Sequence, residues 1–499
     1  MKKSVGVLSG LAVLAALTSA GTWYTGKQLP DALKASIAQS NEQAQKALLG
    51  TGASASIELV SLEQHFYTST ARYRVKVANL DAGDESVSLE LNFVDRIEHG
   101  PLPWSRLKAF KLMPVMATSN YALEKTEGTA KWFAAAKDVA PLQGQVSLGY
   151  DRSVQGSMKL LPLDVTGDDG SVVKFSGFNL DVDSSADAEK VKVNGTMGSL
   201  AMTLVSPDTA PVKIDLNGMN ITGDLTKTTY GFYVGQVDFG LASSQFVFGD
   251  QQSTLLLKAL EQRNDYRAEG DKMSGRLTYK VGDISYEGKS VGSAQMVMSV
   301  KSLDIPALQS LMSWYESHLP EIQQAAAEGQ SMPQLAMSPE EEAKVREDVL
   351  KMLAAKPQVA LEDLSFKTAN GESRFSLAVE LNKPTSLELP PDQLGRQLVS
   401  QLKSNLTVSK PMIADLAVLQ AAFQGETDTQ AIAQQASMTS EMVGQMALQT
   451  QLAKLQGSDV VANLNYVDGQ VEFNGQKMTL EEFAGLVMAN LGAMGQIGG

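Results

Sequence analysis

The sequence contains no cysteine and only three histidines among its 499 residues. Without thiols the protein has no disulfides, thiolate nucleophiles or cysteine-ligated zinc sites, and such an absence fits an oxidising compartment. The histidines, His65, His99 and His318, are far apart, and no two have zinc-peptidase spacing. The chain also lacks a G-x-S-x-G elbow, a P-loop and a dinucleotide fingerprint. We therefore predict no cofactor, no metal and no catalytic residue of a known motif.

Positive charge is in deficit, with 42 Lys and Arg against 56 Asp and Glu and a net charge of −14. Such a chain repels phosphate backbones, so we predict no nucleic-acid partner. Acids cluster at residues 164–170 and 181–187, but neither cluster has EF-hand spacing, which favours solvated turns over a calcium site.

The one long uncharged run is at the N-terminus, from Val5 to Tyr24, and it follows Lys2 and Lys3. Lysines before an apolar run of about 20 residues, with Trp23 and Tyr24 at its far end, are typical of a membrane anchor. The small residues Thr18-Ser19-Ala20 leave a cleaved signal peptide as the alternative. We favour a retained membrane segment over residues 1–24, with the remaining chain on the far side of the membrane.

Hydrophobic periodicity then divides the chain. Residues 25–53 have helical spacing and predict a helical linker, whereas residues 54–304 alternate with period two. The alternation predicts an antiparallel β region with a helical insertion near residues 105–138, a bulge at Gly177, and tight turns at Asn194-Gly195 and Asn217-Gly218. The fold class expected is α+β and β-dominated, a long curved antiparallel meander with helices packed on it.

Residues 305–499 predict an α+β region. A helix begins after Ser338, and a hairpin lies near residues 358–382. Helix then extends from about Asp392 to Gln456 with breaks at Pro411 and Gly425, and a C-terminal hairpin near residues 462–478 precedes a short helix. Met438, Met442 and Met446 repeat at helical spacing, which favours flexible core packing over a binding groove.

The stretch around His99 combines rigidity with a rare imidazole. Pro101 and Pro103 fix φ, and Gly100 permits a backbone conformation that other residues resist. We predict a structural turn motif of His99, Gly100, Pro101 and Pro103 that leads from a strand into a helix near Ser105. A rigid turn can also aim a general base, so a hydrolase centred on His99 is the least favoured hypothesis.

Four stretches resemble a known family: WYTGKQL (23–29), IEHGPLP (97–103) with LKAFKLMPVMA (107–117), SFKTANGES (365–373) and YVDGQVEFNGQKMTLEEFAGLV (466–487). They resemble the YdgA/YihF family of bacterial envelope proteins, whose molecular function is unknown. A departure lies at residues 65–69, where that family tends to have a Gly before the aromatic residue. The resemblance implies an inner-membrane or periplasmic location, and self-association into a homo-oligomer. It brings no catalytic residues.

These observations favour a non-enzymatic, membrane-anchored periplasmic protein that acts through protein interaction or self-association. The alternative is a lipid-binding or lipid-transporting groove of AsmA-like type, because a long bent sheet with one apolar face can shelter acyl chains. The two differ in whether the helices between Pro306 and Gln456 cover that face or leave it open.

Overall fold

The computed structural model describes residues 29–48, 52–81, 86–206, 209–327, 337–449 and 451–494. These described residues form two compact units: unit 1 falls within Met1–Pro207, Ile214–Val237 and Tyr315–Ala336, and unit 2 within Asp208–Lys213, Asp238–Trp314 and Met337–Gly499. The predicted membrane segment, with Lys2, Lys3, Trp23 and Tyr24, lies outside the described residues. Within the ranges described, no helix has the length and apolar character needed to cross a membrane.

Unit 1 is built on a meander of antiparallel strands. Each strand from β1 to β6 pairs with the next one along the chain. The elements are α1 (Leu29–Leu48), β1 (Ser54–Gln64), β2 (Thr68–Asp81), β3 (Ser86–His99), α2 (Trp104–Lys108), β4 (Ala117–Leu123), α3 (Ala130–Ala135), β5 (Leu142–Leu148), β6 (Val154–Leu160), β7 (Leu163–Thr166), β8 (Val172–Phe175), β9 (Phe178–Ser184) and β10 (Lys190–Ser206). The helical insertion expected near residues 105–138 is thus two short helices with strand β4 between them.

Helix α1 covers the first strands of this sheet. The Asn41 side chain pairs with both backbone groups of Ile57, donating to its carbonyl at 3.0 Å and accepting from its N–H at 2.7 Å. Leu29 and Leu33 are buried in the same cluster as Ile97, whereas Ala44 and Leu48 pack near Ala55. The helix therefore runs antiparallel to β1, with its N-terminus toward the end of β3.

A long hairpin follows, and each of its two arms consists of two strands: β6 and β7 form one arm, and β8 and β9 form the other. β6 pairs with β9 and β7 with β8, while β10 pairs with both β8 and β9. Gly177 lies between β8 and β9 with φ +97°, and a Cβ there would come within 2.9 Å of the Leu160 carbonyl oxygen. The irregularity predicted at Gly177 is therefore present.

Both predicted Asn-Gly turns in this region are wrong, because Asn194-Gly195 lies inside β10 and Asn217-Gly218 inside β11 (Thr209–Lys227). A Cβ at Gly195 would lie 3.1 Å from the Phe178 ring. The glycine makes room for a cross-strand aromatic ring instead of a turn.

Unit 2 repeats the antiparallel arrangement with helices between some strands. After β12 (Tyr233–Phe248), each strand pairs with the next as far as β18, which pairs with β20. The elements that follow in the chain are β13 (Ser253–Glu269), β14 (Lys272–Tyr286), β15 (Lys289–Asp304), α4 (Ile305–Ala327), α5 (Pro339–Ala354), β16 (Gln358–Lys367), β17 (Glu372–Leu381), α6 (Pro391–Leu398), β18 (Val399–Ser409), α7 (Lys410–Phe423), α8 (Thr429–Gln449), β19 (Lys454–Gln456), β20 (Asp459–Val467), β21 (Gln470–Phe473), β22 (Gln476–Thr479) and α9 (Leu480–Met494). They belong to unit 2 except for the part of α4 from Tyr315 onward, which belongs to unit 1.

Between Asp392 and Gln456, where helix with breaks at Pro411 and Gly425 is predicted, the break near Gly425 is present between α7 and α8, but residues 399–409 form strand β18 and not helix. The apolar residues Val399, Leu402 and Leu406 have helical spacing, but the strand lies between β17 and β20 and bonds to both. Long-range pairing overrides local periodicity here.

The predicted burial of the methionine stripe is also wrong. Met438, Met442 and Met446 are exposed on α8. The buried stripe consists instead of residues with mostly small side chains, four apart: Ile432, Ala436, Ser440 and Gly444. These allow close packing, and a Cβ at Gly444 would lie 3.0 Å from the Lys410 side chain of α7.

The coarse fold class is confirmed: the chain is β-dominated, its strands pair in a long antiparallel sheet, and helices accompany them.

Candidate functional site

The turn motif closes a long loop at the end of β3. The His99 N–H donates to the Tyr67 carbonyl at 2.8 Å, and the Gly100 N–H to the Met116 carbonyl at 3.2 Å. Gly100 has φ +98°, a conformation that side chains with a Cβ resist. The Val115 N–H donates to the Pro101 carbonyl at 3.0 Å. The loop of residues 100–116 is thus fastened at its base.

Glu98 fixes the helix inside that loop. Its buried carboxylate accepts hydrogen bonds from the Ser105 N–H at 2.9 Å and from the Ser105 hydroxyl at 2.6 Å. These bonds satisfy a backbone donor at the start of α2, where Pro103 precedes Trp104. The motif predicted as structural is therefore joined to the helix by a charge-assisted contact.

His99 has a partner that sequence reasoning missed. Its Nε2 lies 2.8 Å from the hydroxyl of Ser69 on β2, 30 residues away in sequence. The antiparallel register, which places Ser69 opposite Ile97, brings them together. Burial lowers the pKa of the imidazole, which favours its neutral form.

A serine hydroxyl beside a histidine nitrogen is also the geometry of an activated nucleophile. Ser69, however, is only 1% exposed, so a substrate carbonyl has no approach to its Oγ in this conformation. The neighbouring carboxylate, Glu98, is held by Ser105 and not by the imidazole. The geometry suits a structural hydrogen bond better than catalysis.

The other predicted candidates do not converge on His99. His65 is exposed on the turn after β1, and His318 is buried in α4. Among the described residues, no three His, Cys, Asp or Glu side chains are grouped as metal ligands would be. Of the acidic clusters, Asp169 accepts from the Ser171 backbone and hydroxyl, and Asp187 pairs with Arg152 at 2.8 Å.

A second buried carboxylate, that of Asp95, lies earlier on β3, four residues before His99. Asp95 accepts a hydrogen bond from the Ser119 hydroxyl at 2.7 Å, and Tyr73 and Tyr121 are buried nearby. Burial raises the pKa of Asp95 to about 6, against the opposing effects of its hydrogen bonds with Ser119, the Asn120 backbone and Tyr73. Burial also raises the pKa of both tyrosines. From the sequence alone, Asp95 could be recognised only as an aspartate in an alternating strand, and its burial could not be predicted.

The loops at the His99 end of unit 1 expose large apolar side chains. We call the turn of residues 65–67, the loop of residues 100–116 and the turn of residues 149–153 the loop surface. Its main exposed side chains are Phe66, Tyr67, Trp104, Phe110, Leu112 and Met113. Between Glu98 and Glu124 the sequence has no acid but has the cations Arg106, Lys108 and Lys111. This acid-free interval is visible in the sequence and indicates a locally basic segment, although the overall charge of the chain is negative.

Unit 2 has a second apolar region, on one face of its sheet. Register places Val300, Val359, Val379 and Leu402 opposite one another in one row, and Met296, Leu364, Phe375 and Leu406 in another. We call these two rows the apolar face. Val359, Leu364 and Leu406 are 50%, 46% and 38% exposed, whereas Val297 and Ala360 on the opposite side of the same strands are buried.

Helix α9 covers the continuation of this face. Tyr466, which pairs with Leu402, is buried with Val471 and Phe473 against Phe483 of α9. The rings of Phe473 and Phe483 lie 5.2 Å apart. The face is thus buried beneath α9 and open at β16 to β18.

Comparison with known proteins gives two relatives that match over nearly their whole length and a third that matches in part. The chain is 26% identical to "Protein YdgA" of Escherichia coli K12, over 97% of both chains. It is 22% identical to "Uncharacterized protein YihF" of the same organism, over 97% of this chain and 98% of the relative. An uncharacterized Haemophilus influenzae protein is 21% identical over 63% of this chain and 86% of its own length.

No solved structure matches the chain. A family model described as "Bacterial protein of unknown function (DUF945)" matches residues 1–481. The resemblance inferred from the His-Gly-Pro-x-Pro and C-terminal stretches is confirmed, because both E. coli relatives are those that define it. The chain belongs to the DUF945 family of bacterial proteins of unknown function.

Proposed function

We propose that this protein is a non-enzymatic component of the bacterial envelope, anchored in the inner membrane by residues 1–24, whose periplasmic body shelters acyl chains on the apolar face of unit 2. The observation that carries the proposal is the exposure of Val359, Leu364 and Leu406, which lie in the two apolar rows across β15 to β18. The two functions considered from the sequence differ in whether the helices between Pro306 and Gln456 cover the apolar face. These side chains are uncovered, which supports a lipid-binding groove over a purely protein-binding role.

The chemistry of the face supports an apolar ligand. The two rows contain only aliphatic side chains, methionine and one phenylalanine, so they offer an acyl chain contact without leaving a buried polar group unsatisfied. Burying apolar surface contributes about 25 cal/mol per Å². Exposed apolar patches in soluble bodies commonly mark binding surfaces.

The anchor is supported by the uncharged run from Val5 to Tyr24 behind two lysines. The absence of cysteine fits an oxidising periplasm. The non-enzymatic assignment is supported by the burial of Ser69, whose hydroxyl lies 2.8 Å from His99 Nε2.

Mass spectrometry of lipids that co-purify with the full chain in mild detergent tests the proposal. The double variant Leu364→Asp with Leu406→Asp puts charge on the apolar face, and Met442→Asp on the exposed side of α8 is the matched control. We expect bound lipid to fall in the double variant and to persist in the control. Equal lipid in both variants would refute the apolar face as the lipid site.

Self-association is the second candidate, because the same exposed face could pack against another copy of the chain. Light scattering on the same variants separates the two. A dimer that dissociates in the double variant, with bound lipid unchanged, would favour self-association.

A further inference from the structure

We infer that the loop surface of unit 1 docks onto the periplasmic leaflet of the membrane that holds the anchor. The inference rests on the membrane anchor of the proposed function but is independent of the lipid site in unit 2. It assigns a role to the turn motif at His99, which would hold the docking loop in position.

The first argument is where the chain enters the described structure. Asn41 of α1 lies at Ile57 of β1, and Leu29 is twelve residues earlier, or about 18 Å along a helix. That distance corresponds to about five or six residues of strand, which places Leu29 near Leu62. Leu62 is two residues from the end of β1, where the turn of residues 65–67 begins. Leu29 therefore lies at the loop-surface end of the sheet.

The second argument is the length of chain that remains. Five residue steps separate Tyr24, the end of the apolar run, from Leu29, and they span about 17 Å at full extension. If Trp23 and Tyr24 lie at the membrane interface, the start of α1 is held within that distance of it. The loops at the same end of unit 1 are then the part of this unit within closest reach of the lipid headgroups.

The third argument is the chemistry of the loops. Trp104, Phe110 and Leu112 are exposed, and interfacial membrane surfaces are rich in such side chains. Phe110 is 89% exposed and holds φ at +56°, a strained conformation for a bulky residue. This conformation belongs to the Schellman cap that ends α2, in which the Lys111 N–H donates to the Arg106 carbonyl at 2.9 Å and the Phe110 N–H to the Leu107 carbonyl at 3.1 Å. The exposure of these side chains, and not the backbone strain, therefore supports docking.

The fourth argument is charge. The loop of residues 100–116 exposes Lys108 and Lys111 within a chain of net charge −14, and no acid lies between Glu98 and Glu124. Arg106 is buried and donates to the Met113 carbonyl at 3.3 Å, so it does not face the lipid. The turn of residues 149–153 adds one exposed acid, Asp151, and one exposed cation, Arg152. The Lys108 ammonium lies 5.6 Å from the centre of the Trp104 ring. Cations beside aromatic rings fit a leaflet that contains anionic lipid, since basic residues near such a surface each contribute on the order of 1 kcal/mol.

The absence of native cysteine makes single-site labelling clean. An environment-sensitive fluorophore would be attached in the full chain at Phe110→Cys or Leu112→Cys, both on the loop surface. Val139→Cys is the matched control, because Val139 is 49% exposed and precedes β5 at the opposite end of the sheet. Ser19→Cys reports on the anchor. Each protein is reconstituted into nanodiscs of phosphatidylethanolamine and phosphatidylglycerol, with or without acyl-chain spin-labelled lipid.

We expect spin-labelled lipid to quench the probes at residues 110, 112 and 19 and to leave the probe at residue 139 bright. Quenching at residue 19 without quenching at residues 110 and 112 would overturn the docking inference and leave the anchor intact. Quenching at residues 110 and 112 without an anchor signal would overturn the anchor and support the docking. Equal quenching at residues 110, 112 and 139 would overturn docking through this surface. Thermal melting of each labelled protein verifies that it is folded.

Discussion

The imidazole Nε2 of His99 lies 2.8 Å from the hydroxyl of Ser69, joining the start of β2 to the end of β3. Because Ser69 is buried, this contact closes the edge of the core. The adjacent Glu98 accepts hydrogen bonds from Ser105 in the following loop. Two consecutive residues of β3 therefore stabilise different parts of the structure: His99 bonds to the neighbouring strand, and Glu98 bonds to the loop.

We predict that His99→Gln lowers the free energy of unfolding by about 0.5–2 kcal/mol, the range for one lost hydrogen bond with modest repacking. Ser69→Ala should cost a similar amount because it removes the same bond. Thermal stability, membrane abundance and complementation should be measured together for both variants, and function should decline only as far as abundance declines. A stable and abundant His99→Gln protein without function would instead support catalysis.

We predict that Gly100→Ala destabilises the protein by about 1–2 kcal/mol, the cost of a left-handed conformation for a residue with a Cβ. No atom lies within 4 Å of the added Cβ, so the cost is conformational and not a steric clash. Gly128→Ala is the control, because its nearest neighbour is 4.0 Å away and its φ is not in the left-handed region. Chemical denaturation measures both, and equal stability of the two variants would contradict the prediction.

Much of the fold was predictable because it depends on local pattern. Period-two alternation indicated the strands, and Ser338 with Pro339 marked the start of α5, where a capping box with Glu341 forms. The Asp468-Gly469 and Asn370-Gly371 turns likewise join paired strands. These features are encoded within a few neighbouring residues.

The remaining features depend on which distant segments meet. The helical spacing of Val399, Leu402 and Leu406 gave no sign of strand β18, whose neighbours are set by sheet register. The contact between Ser69 and His99 depends in the same way on the β2–β3 register. Periodicity identifies an apolar side chain but not what covers it, so the exposure of Met442 and Leu364 was not predictable.

We predict that residues 1–24 stay attached to the mature protein. The run from Val5 reaches anchor length only through Trp23 and Tyr24, and the lysines before it favour membrane insertion. Intact-mass measurement of protein extracted from membranes decides between the alternatives. A mature chain that begins at Gly21 would show a cleaved signal peptide and refute the anchor.

We predict that Asp95 makes the stability of the protein depend on pH in a specific direction. Burial raises the pKa of its carboxyl to about 6 from an ordinary value of 3.8, so the folded protein holds the proton more tightly than the unfolded chain. The stabilising contribution is complete below about pH 4 and is lost as the pH rises through 6. A shift of about two units corresponds to on the order of 3 kcal/mol.

Asp95→Asn removes this ionisation while keeping a side chain of similar shape. Substitution also changes the hydrogen bond with Ser119, which adds an offset that does not vary with pH. The informative quantity is therefore the difference in unfolding free energy between variant and unsubstituted protein at pH 4 and at pH 7.5. We expect the variant to gain relative stability across that interval, measured by urea denaturation. Asp169→Asn, at an exposed turn, is the control and should show no such gain. A difference for Asp95→Asn that is constant with pH would mean that the buried carboxyl does not titrate in this range.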